Sequence, residues 1–511
     1  MHMMPDDTDR DRETCADPHE HHLSRRRLLT TGVVVASSVG ALSTGIFGGQ
    51  RAAAVSARRD RAARPQDDGN GPGTDAASLT GAYAFLDTMM DAYQSGVTLR
   101  LAQSYSDQNG LNSTAFVYDN AMQIIAYLGR PSGDGVARAR ARLLGDSLLY
   151  VQGHDPSPGG QPDGRVRQAY DAAPSLIKPD GSPNLVLAPF YFTGSAVGDM
   201  AWTGLALARL AAVTHDRRYL DGALKLGAWI VRTTYDTTGP GGYHFGVDGN
   251  NQPLLYKSTE HNIDTYAFLT ALAQLTGDRV YADLAQPWSV LAQHALDFVH
   301  AMWDATAGHF WTGTTPDGVT TNYDPIPEDV QTWSYLALRD PAYAASLDWA
   351  KTHVAVTDTP ESPNASFTGN VAFSGVTFSN ASLKADPTKA PNSYTPKPDP
   401  SGVWFEGTAH IADALLYRGA GDNGAIALGN DRTTAVYYLR NIALAQETLG
   451  QGQTVGGRPI PAGAGIVAAS SPLDTGFGFD YSPNLHIGAT AWYLIAARRV
   501  NPFRLEQSRD D

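Results

Sequence analysis

The chain has 511 residues, 42% of them hydrophobic and 18% charged, with 52 acidic against 38 basic side chains and a formal net charge of −14. That is apolar enough for a sizeable core and too sparsely charged for a disordered chain, and the acidic balance argues against a nucleic-acid partner. The one cysteine, Cys15, excludes disulfide frameworks, cysteine zinc sites and iron–sulfur clusters.

Ser24-Arg25-Arg26-Arg27-Leu28-Leu29 resembles the twin-arginine export motif. An apolar run studded with Gly, Ser and Thr follows to about Phe47, and small-residue runs at Ala52-Ala53-Ala54 and Val55-Ser56-Ala57 offer cleavage points. The span is short for a membrane anchor. Residues 1–57 therefore read as a Tat-type signal peptide, delivering the mature protein to the cell envelope or beyond and leaving no membrane segment. His19-Glu20-His21-His22 has the composition of a metal site but lies in this leader and is set aside. Residues 58–78, rich in Arg, Asp, Gly and Pro, read as a disordered linker. The folded domain is expected over 79–503, with a disordered tail at 504–511.

Within the domain one unit recurs. A polar loop with an acidic residue opens a helix that is apolar nearly all round, and a turn leads to a second helix with one apolar stripe. Helices of the first kind start near Asp119, Asp199, Glu260, Asp329, Glu406 and Asn484, at steps of 61 to 80 residues. A helix apolar on every face must be buried on every face. The second kind shows apolar residues three or four apart, as at Leu144, Leu148 and Val151, or Leu284, Trp288, Leu291, Ala295 and Phe298. A linear solenoid would need polar caps, yet the chain ends on a buried-type helix with Ala489, Trp492, Leu494 and Ile495. The pattern predicts an all-α fold, an (α/α)6 barrel of six helical hairpins with short β-hairpins and loops at one mouth. Gly242–Gly249 and Gly308–Gly318 both read as aromatic hairpins closed by Asp-Gly turns, each ending eleven residues before its acidic helix start. They should flank the same mouth. The Ser-, Pro-, Asn- and Thr-rich stretch from Asp358 to Pro400 is too long for an ordinary connection and reads as a cleft wall, a lid or a disordered insert.

With Tyr118-Asp119-Asn120, Ser258-Thr259-Glu260-His261-Asn262-Ile263-Asp264 and Trp404-Phe405-Glu406-Gly407-Thr408, the domain resembles the six-hairpin glycosidases, the (α/α)6 glycoside hydrolases and lyases. The resemblance implies a site at the barrel mouth where inner helices begin, and inversion as the commoner outcome.

Glycosidic hydrolysis needs one protonated and one ionised carboxyl group, and acidic first-turn residues can supply both. Asp119, Asp199, Glu260, Asp264, Glu328, Asp329 and Glu406 stand at such places, although acids there also serve as ordinary caps. Glu260 shares a helix face with Asp264 one turn on, an arrangement that raises one pKa, and is the expected general acid. Glu406 sits among aromatic residues, and Asp119 is the expected base. Tyr118, Trp202, Tyr243, Trp311, Trp333 and Trp404, together with His261, Asn262, Asp329 and His486, are expected to bind a carbohydrate. No Gly-x-Ser-x-Gly, Walker A, His-Glu-x-x-His or dinucleotide-binding pattern occurs, so no metal and no cofactor is expected. The reading is a secreted, monomeric glycoside hydrolase of an oligo- or polysaccharide. The alternatives are a polysaccharide lyase with His261 or Tyr266 as base, or a non-catalytic carbohydrate-binding protein.

Overall fold

The computed structural model describes residues 76–131, 133–156, 160–391, 395–419 and 429–505. The expected leader, most of the expected linker and residues 506–511 lie outside them.

Among the described residues twelve α-helices occur in chain order: α1 (Ala76–Met90), α2 (Val117–Leu128), α3 (Gly135–His154), α4 (Val197–Thr214), α5 (Arg217–Thr234), α6 (Thr259–Thr276), α7 (Trp288–Ala301), α8 (Glu328–Leu338), α9 (Ala345–His353), α10 (Phe405–Gly419), α11 (Gly429–Thr448) and α12 (Ile487–Ala497). The even-numbered helices form an inner ring in which each packs on the next and α12 closes on α2. All eleven residues of α12 are buried, the environment that all-round apolarity demands. The odd-numbered helices form the outer ring. On α5 the buried residues Tyr219, Gly222, Ala223, Leu226 and Ile230 mark one stripe, while exposed residues occupy the other face. Five hairpins are consecutive in sequence (α2 with α3 through α10 with α11). The sixth joins α12 to α1 and so ties together the two ends of the described chain. The fold is the expected (α/α)6 barrel.

Both domain limits move outward. The first helix begins at Ala76 rather than Leu79, because the Ser78 hydroxyl bonds Gln446 and the Tyr493 hydroxyl. At the other end Phe503 is buried against Trp202 and Trp333, with ring centroids 4.8 and 5.7 Å apart. Asn501 donates to Leu336 O at 2.8 Å and Arg504 to Ala337 O at 2.7 Å. The C-terminal segment therefore plugs the far end of the barrel, which makes the interior a pocket rather than a channel.

Short strand pairs crown the other end, where all the inner helices begin. The two expected hairpins exist, but each is shifted towards the C-terminus. Gly246–Val247 (β4) pairs with Pro253–Leu254 (β5), and Gly313–Thr314 (β8) with Thr321–Asn322 (β9), with the Asp-Gly dipeptides in the turns. His309–Phe310 (β7) instead pairs back onto Trp303–Asp304 (β6). Gly246 and Gly313 hold φ of 137° and 142°, and a Cβ on either would meet a backbone oxygen at 2.1 or 2.0 Å, Ser195 O or Lys257 O. Both glycines thus lie against the residues leading into an inner helix, α4 and α6, which is the same structural place. The segment after Asp358 is a cleft wall. Ala355–Asp358 (β10) pairs with Phe373–Val376 (β11), and Asn364 Nδ2 donates to Pro387 O and Pro398 O at 2.9 and 2.8 Å.

A repeated latch aligns the inner helices. Near the start of each, one side chain accepts from the backbone N–H of an incoming segment; where it carries a donor it also bonds its own helix's i−4 carbonyl. Asn120 accepts from Ala102 N and donates to Phe116 O, both at 2.8 Å. Asn262 accepts from Tyr243 N at 2.9 Å and donates to Ser258 O. Gln331 does this with Phe310 N and Pro327 O, Thr408 with Val376 N and Trp404 O, and Thr490 with Ile466 N and His486 O. In α4 the sulfur of Met200 takes the Val166 N–H at 3.4 Å. Buried backbone donors at the mouth are thereby satisfied, and the first turns are held in common register.

Candidate active site

The latch register shows what the mouth is built from. Two residues before it stand Glu260, Asp329 and Glu406 on three successive inner helices; one residue before it stand Asp119 and Asp199, where α6 carries His261. These acids do not cap their helices. Two outer helices, α3 and α5, have Asp caps, Asp134 accepting from Ala137 N and Asp216 from Arg218 N. The caps of five inner helices are Phe116, Ala196, Ser258, Pro327 and His486, and in α10 Glu406 stands inside the first turn, so these carboxyl groups are free to face the barrel axis.

They line a cavity of about 550 Å³ with Asp119, Asp199, Glu260, Asp329, Glu406, His261 and His486 in its walls and Tyr105, Tyr118, Trp202, Trp333, Trp404, Phe479 and Tyr481 around them. A second lobe of about 260 Å³ opens from it and shares Glu260, His261, Asp329, Phe378 and Phe479.

One wall, from α2, α10 and α12, joins two carboxyl groups through a histidine. His486 Nε2 lies 3.2 Å from Asp119 Oδ1, and its Nδ1 lies 3.6 Å from Glu406 Oε2, so a single imidazole spans two carboxylates. A Cβ at Gly488 would fall 2.7 Å from Glu406 Oε2 and 2.9 Å from Asp119 Oδ1; only glycine leaves them this room. Tyr118 OH donates to Glu406 Oε1 at 2.6 Å and accepts from Trp492 Nε1 at 2.8 Å. Below, buried His410 sits 3.7 Å from Glu406 Oε1 and 3.4 Å from Glu328 Oε2. Burial works to raise the Glu406 carboxyl, but His410, His486 and Tyr118 outweigh it and hold Glu406 below the usual glutamate range. Burial opposes charge on both histidines, yet the facing carboxylates win: His410 is pushed up to about 9, and His486 is raised by Asp119 and Glu406.

The opposite wall, from α4, α6 and α8, is built for neutral acids. Burial, then the charge of Asp119, pushes Asp199 up to about 8. Burial, then Glu328, pushes Asp329 up to about 7. Burial, then Asp329, Asp199 and Glu406, raises Glu260 well above the usual range. His261 beside it is driven down to about 3 by burial and stands neutral, packed on Phe245 with centroids 4.3 Å apart.

Ten of the fourteen residues expected at the site line this cavity: Asp119, Glu260, Glu406, Tyr118, His261, Trp202, Trp333, Trp404, Asp329 and His486. Four do not. Asp264 is fully buried one turn beneath Glu260, and burial keeps its carboxyl well above the normal range. Asn262 is the latch of α6. Tyr243 is fully buried, its hydroxyl donating to Leu291 O at 2.9 Å. Trp311 packs on His309 and Tyr323 off the cavity. The shared reason for three of them is periodicity: a polar or aromatic side chain near a helix start points inward or backward as readily as into the mouth. His410, Tyr105 and Phe378 were not anticipated. His410 alone had a signal, standing four residues after Glu406 on one helix face. Among the described residues no three His, Cys, Asp or Glu side chains are placed to hold a metal ion, and no helix is long and apolar enough to cross a membrane.

No family model matches the sequence, and no curated protein does. Solved structures share the fold. Cellobiose 2-epimerase from Bacillus thermoamylovorans B4167 is 11% identical with a TM-score of 0.52, over 83% of this chain and 99% of that one. A D-mannose isomerase is 13% identical with a TM-score of 0.53, over 84% and 96%. A glycoside hydrolase family 76 mannosidase from Bacteroides thetaiotaomicron VPI-5482 is 10% identical with a TM-score of 0.48, over 84% and 98%. The chain thus shares the (α/α)6-barrel fold of the epimerase and isomerase structures.

Proposed function

We propose that the protein is a glycoside hydrolase that cleaves an oligo- or polysaccharide with inversion, exported through the twin-arginine pathway. The observation that carries this reading is one cavity in which Glu260, its carboxyl raised by burial, stands opposite Asp119 and Glu406 joined by His486, an arrangement suited to acid and base catalysis on a glycosidic bond. Glu260, kept protonated, gives its proton to the leaving oxygen as the C1–O bond breaks. A water oxygen bonds C1 from the other face and passes its proton to Asp119, which His486 holds in place. Glu406 supplies a second negative charge beside His486, which with Asp119 raises the imidazole above its ordinary value. Tyr105, Tyr118, Trp404 and Tyr481 line the cavity and supply aromatic surface for the sugar's C–H groups.

A lyase acting on a uronate needs a cation at the mouth. The one Lys or Arg among the described lining residues, Lys257, is turned away, its Nζ 2.6 Å from Asp236 Oδ2 and 2.8 Å from Thr238 O, and His486 is engaged by Asp119 and Glu406. His261 favours a different second reading. A neutral imidazole facing the cavity can take a proton from the carbon beside a sugar carbonyl, the kind of chemistry for which the epimerase and isomerase of like fold are named. A panel of polysaccharides and oligosaccharides assayed for new reducing ends tests the proposal. Reducing ends without ultraviolet absorbance from an unsaturated uronate support it. Solvent-deuterium incorporation into free mannose, glucose or cellobiose without bond cleavage would replace it with the isomerase reading.

A further inference from the structure

The two lobes of the cavity differ in chemistry, and the difference assigns their occupants. The larger lobe contains Asp119 and Glu406 joined by His486; none of these reaches the smaller lobe. The smaller lobe is walled by Phe245, Val247, Leu254, Tyr256, Phe477 and Phe479, with Gln168, Asp248, Asn322, Thr312 and Thr314 adding polar edges. Both lobes meet at Glu260 and Asp329. Part of the smaller lobe's wall comes from the two hairpins, Val247 and Leu254 from one, Thr314 and Asn322 from the other.

We infer that this smaller lobe is the leaving-group subsite and accepts one flat ring with apolar faces and a polar edge, either a pyranose or an aryl aglycone. The inference rests on the hydrolase reading. A proton donor must reach the leaving oxygen, and the neutral carboxyl of Glu260 lies where a ring in the smaller lobe would join a sugar in the larger one. The base wall is absent from the lobe because the attacking water approaches C1 from the opposite side. In the balanced step the C1–O bond breaks and the Glu260 proton goes to the ring in the smaller lobe. The C1–OH bond forms from water, whose other proton goes to Asp119. The departing ring leaves through the hairpin side while the new hemiacetal stays in the larger lobe.

The test compares three leaving groups on one sugar, chosen by a screen of glycosyl fluorides: fluoride, which needs no lobe, p-nitrophenol, and a second pyranose. Leu254→Trp narrows the lobe at a half-buried strand position, and Phe477→Ala removes one wall from the other side. The kcat/KM ratio of p-nitrophenyl glycoside to fluoride should fall about 10–100-fold in Leu254→Trp, the size of effect a misfitted ring commands. It should fall severalfold in Phe477→Ala, through KM. A parallel fall for the disaccharide identifies a pyranose as an occupant, and a fall confined to the nitrophenyl substrate identifies an aglycone. Ratios unchanged in both variants overturn the subsite while leaving the hydrolase reading intact. If wild-type protein turns over no fluoride, nitrophenyl glycoside or disaccharide of any sugar tested, the hydrolase reading fails and the subsite with it.

Discussion

Asp199 shows what the neutral wall costs. Its carboxyl is pushed up to about 8 in the fold, against about 3.9 when the chain is unfolded. A raised folded pKa gives stability that is complete below the unfolded value and is lost as pH rises through the folded one. Asp199 therefore penalises the native state progressively from about pH 4 to beyond pH 8. Asn in its place carries no such penalty, so Asp199→Asn should melt above wild type at pH 9, with the gap closing or reversing at pH 5. Thermal scans at the two values read this directly; a gap that is larger at pH 5 contradicts the assignment. Asp199 was visible in the sequence as an acid at a helix start. That it lines one cavity with Asp119 was not visible, because the neighbour lies on another helix 80 residues away.

At the scale of helices and strands, the sequence carried the periodicity well and the register less well. All-round apolar helices alternating with one-sided ones are a local signal, and the ring follows from the need to bury both sides of six such helices. The latch is different, because its partners are backbone groups of distant segments. Asn262 thus read as a sugar contact when it is a structural tie, and α12 starts at Ile487 rather than near Asn484. The hairpins slipped for a related reason: strands of two residues have almost no pattern of their own. The latch makes its own prediction. Asn262→Ala leaves the buried Tyr243 N–H without its acceptor, so urea unfolding should show a loss of about 1–3 kcal/mol. A loss below about 0.5 kcal/mol would mean that another group takes the bond.

For the whole molecule, closure is the feature on which the site depends. Six first turns converge only because α12 returns to α2 and α1, and the cavity is a pocket only because Phe503 seals the far end among Trp202 and Trp333. Phe503→Ala should therefore cost about 3–5 kcal/mol, as for other buried Phe truncations, although it lies near the end of the sequence; a loss below about 1 kcal/mol would show that the plug is dispensable. The mouth then presents its acids as two opposed walls, and the central claim is that Glu260, on the neutral wall, is the proton donor. The direct measurement is the turnover of Glu260→Gln on two substrates of one sugar, an oligosaccharide whose leaving group needs a proton and a dinitrophenyl glycoside whose leaving group does not. Glu260 is not the cap of α6, so the variant should fold and melt within a few degrees of wild type. It should lose about 10²–10⁴-fold on the oligosaccharide and less than about tenfold on the dinitrophenyl glycoside. Equal losses on the two substrates, or oligosaccharide activity within a few-fold of wild type, would contradict the assignment of Glu260 as the acid.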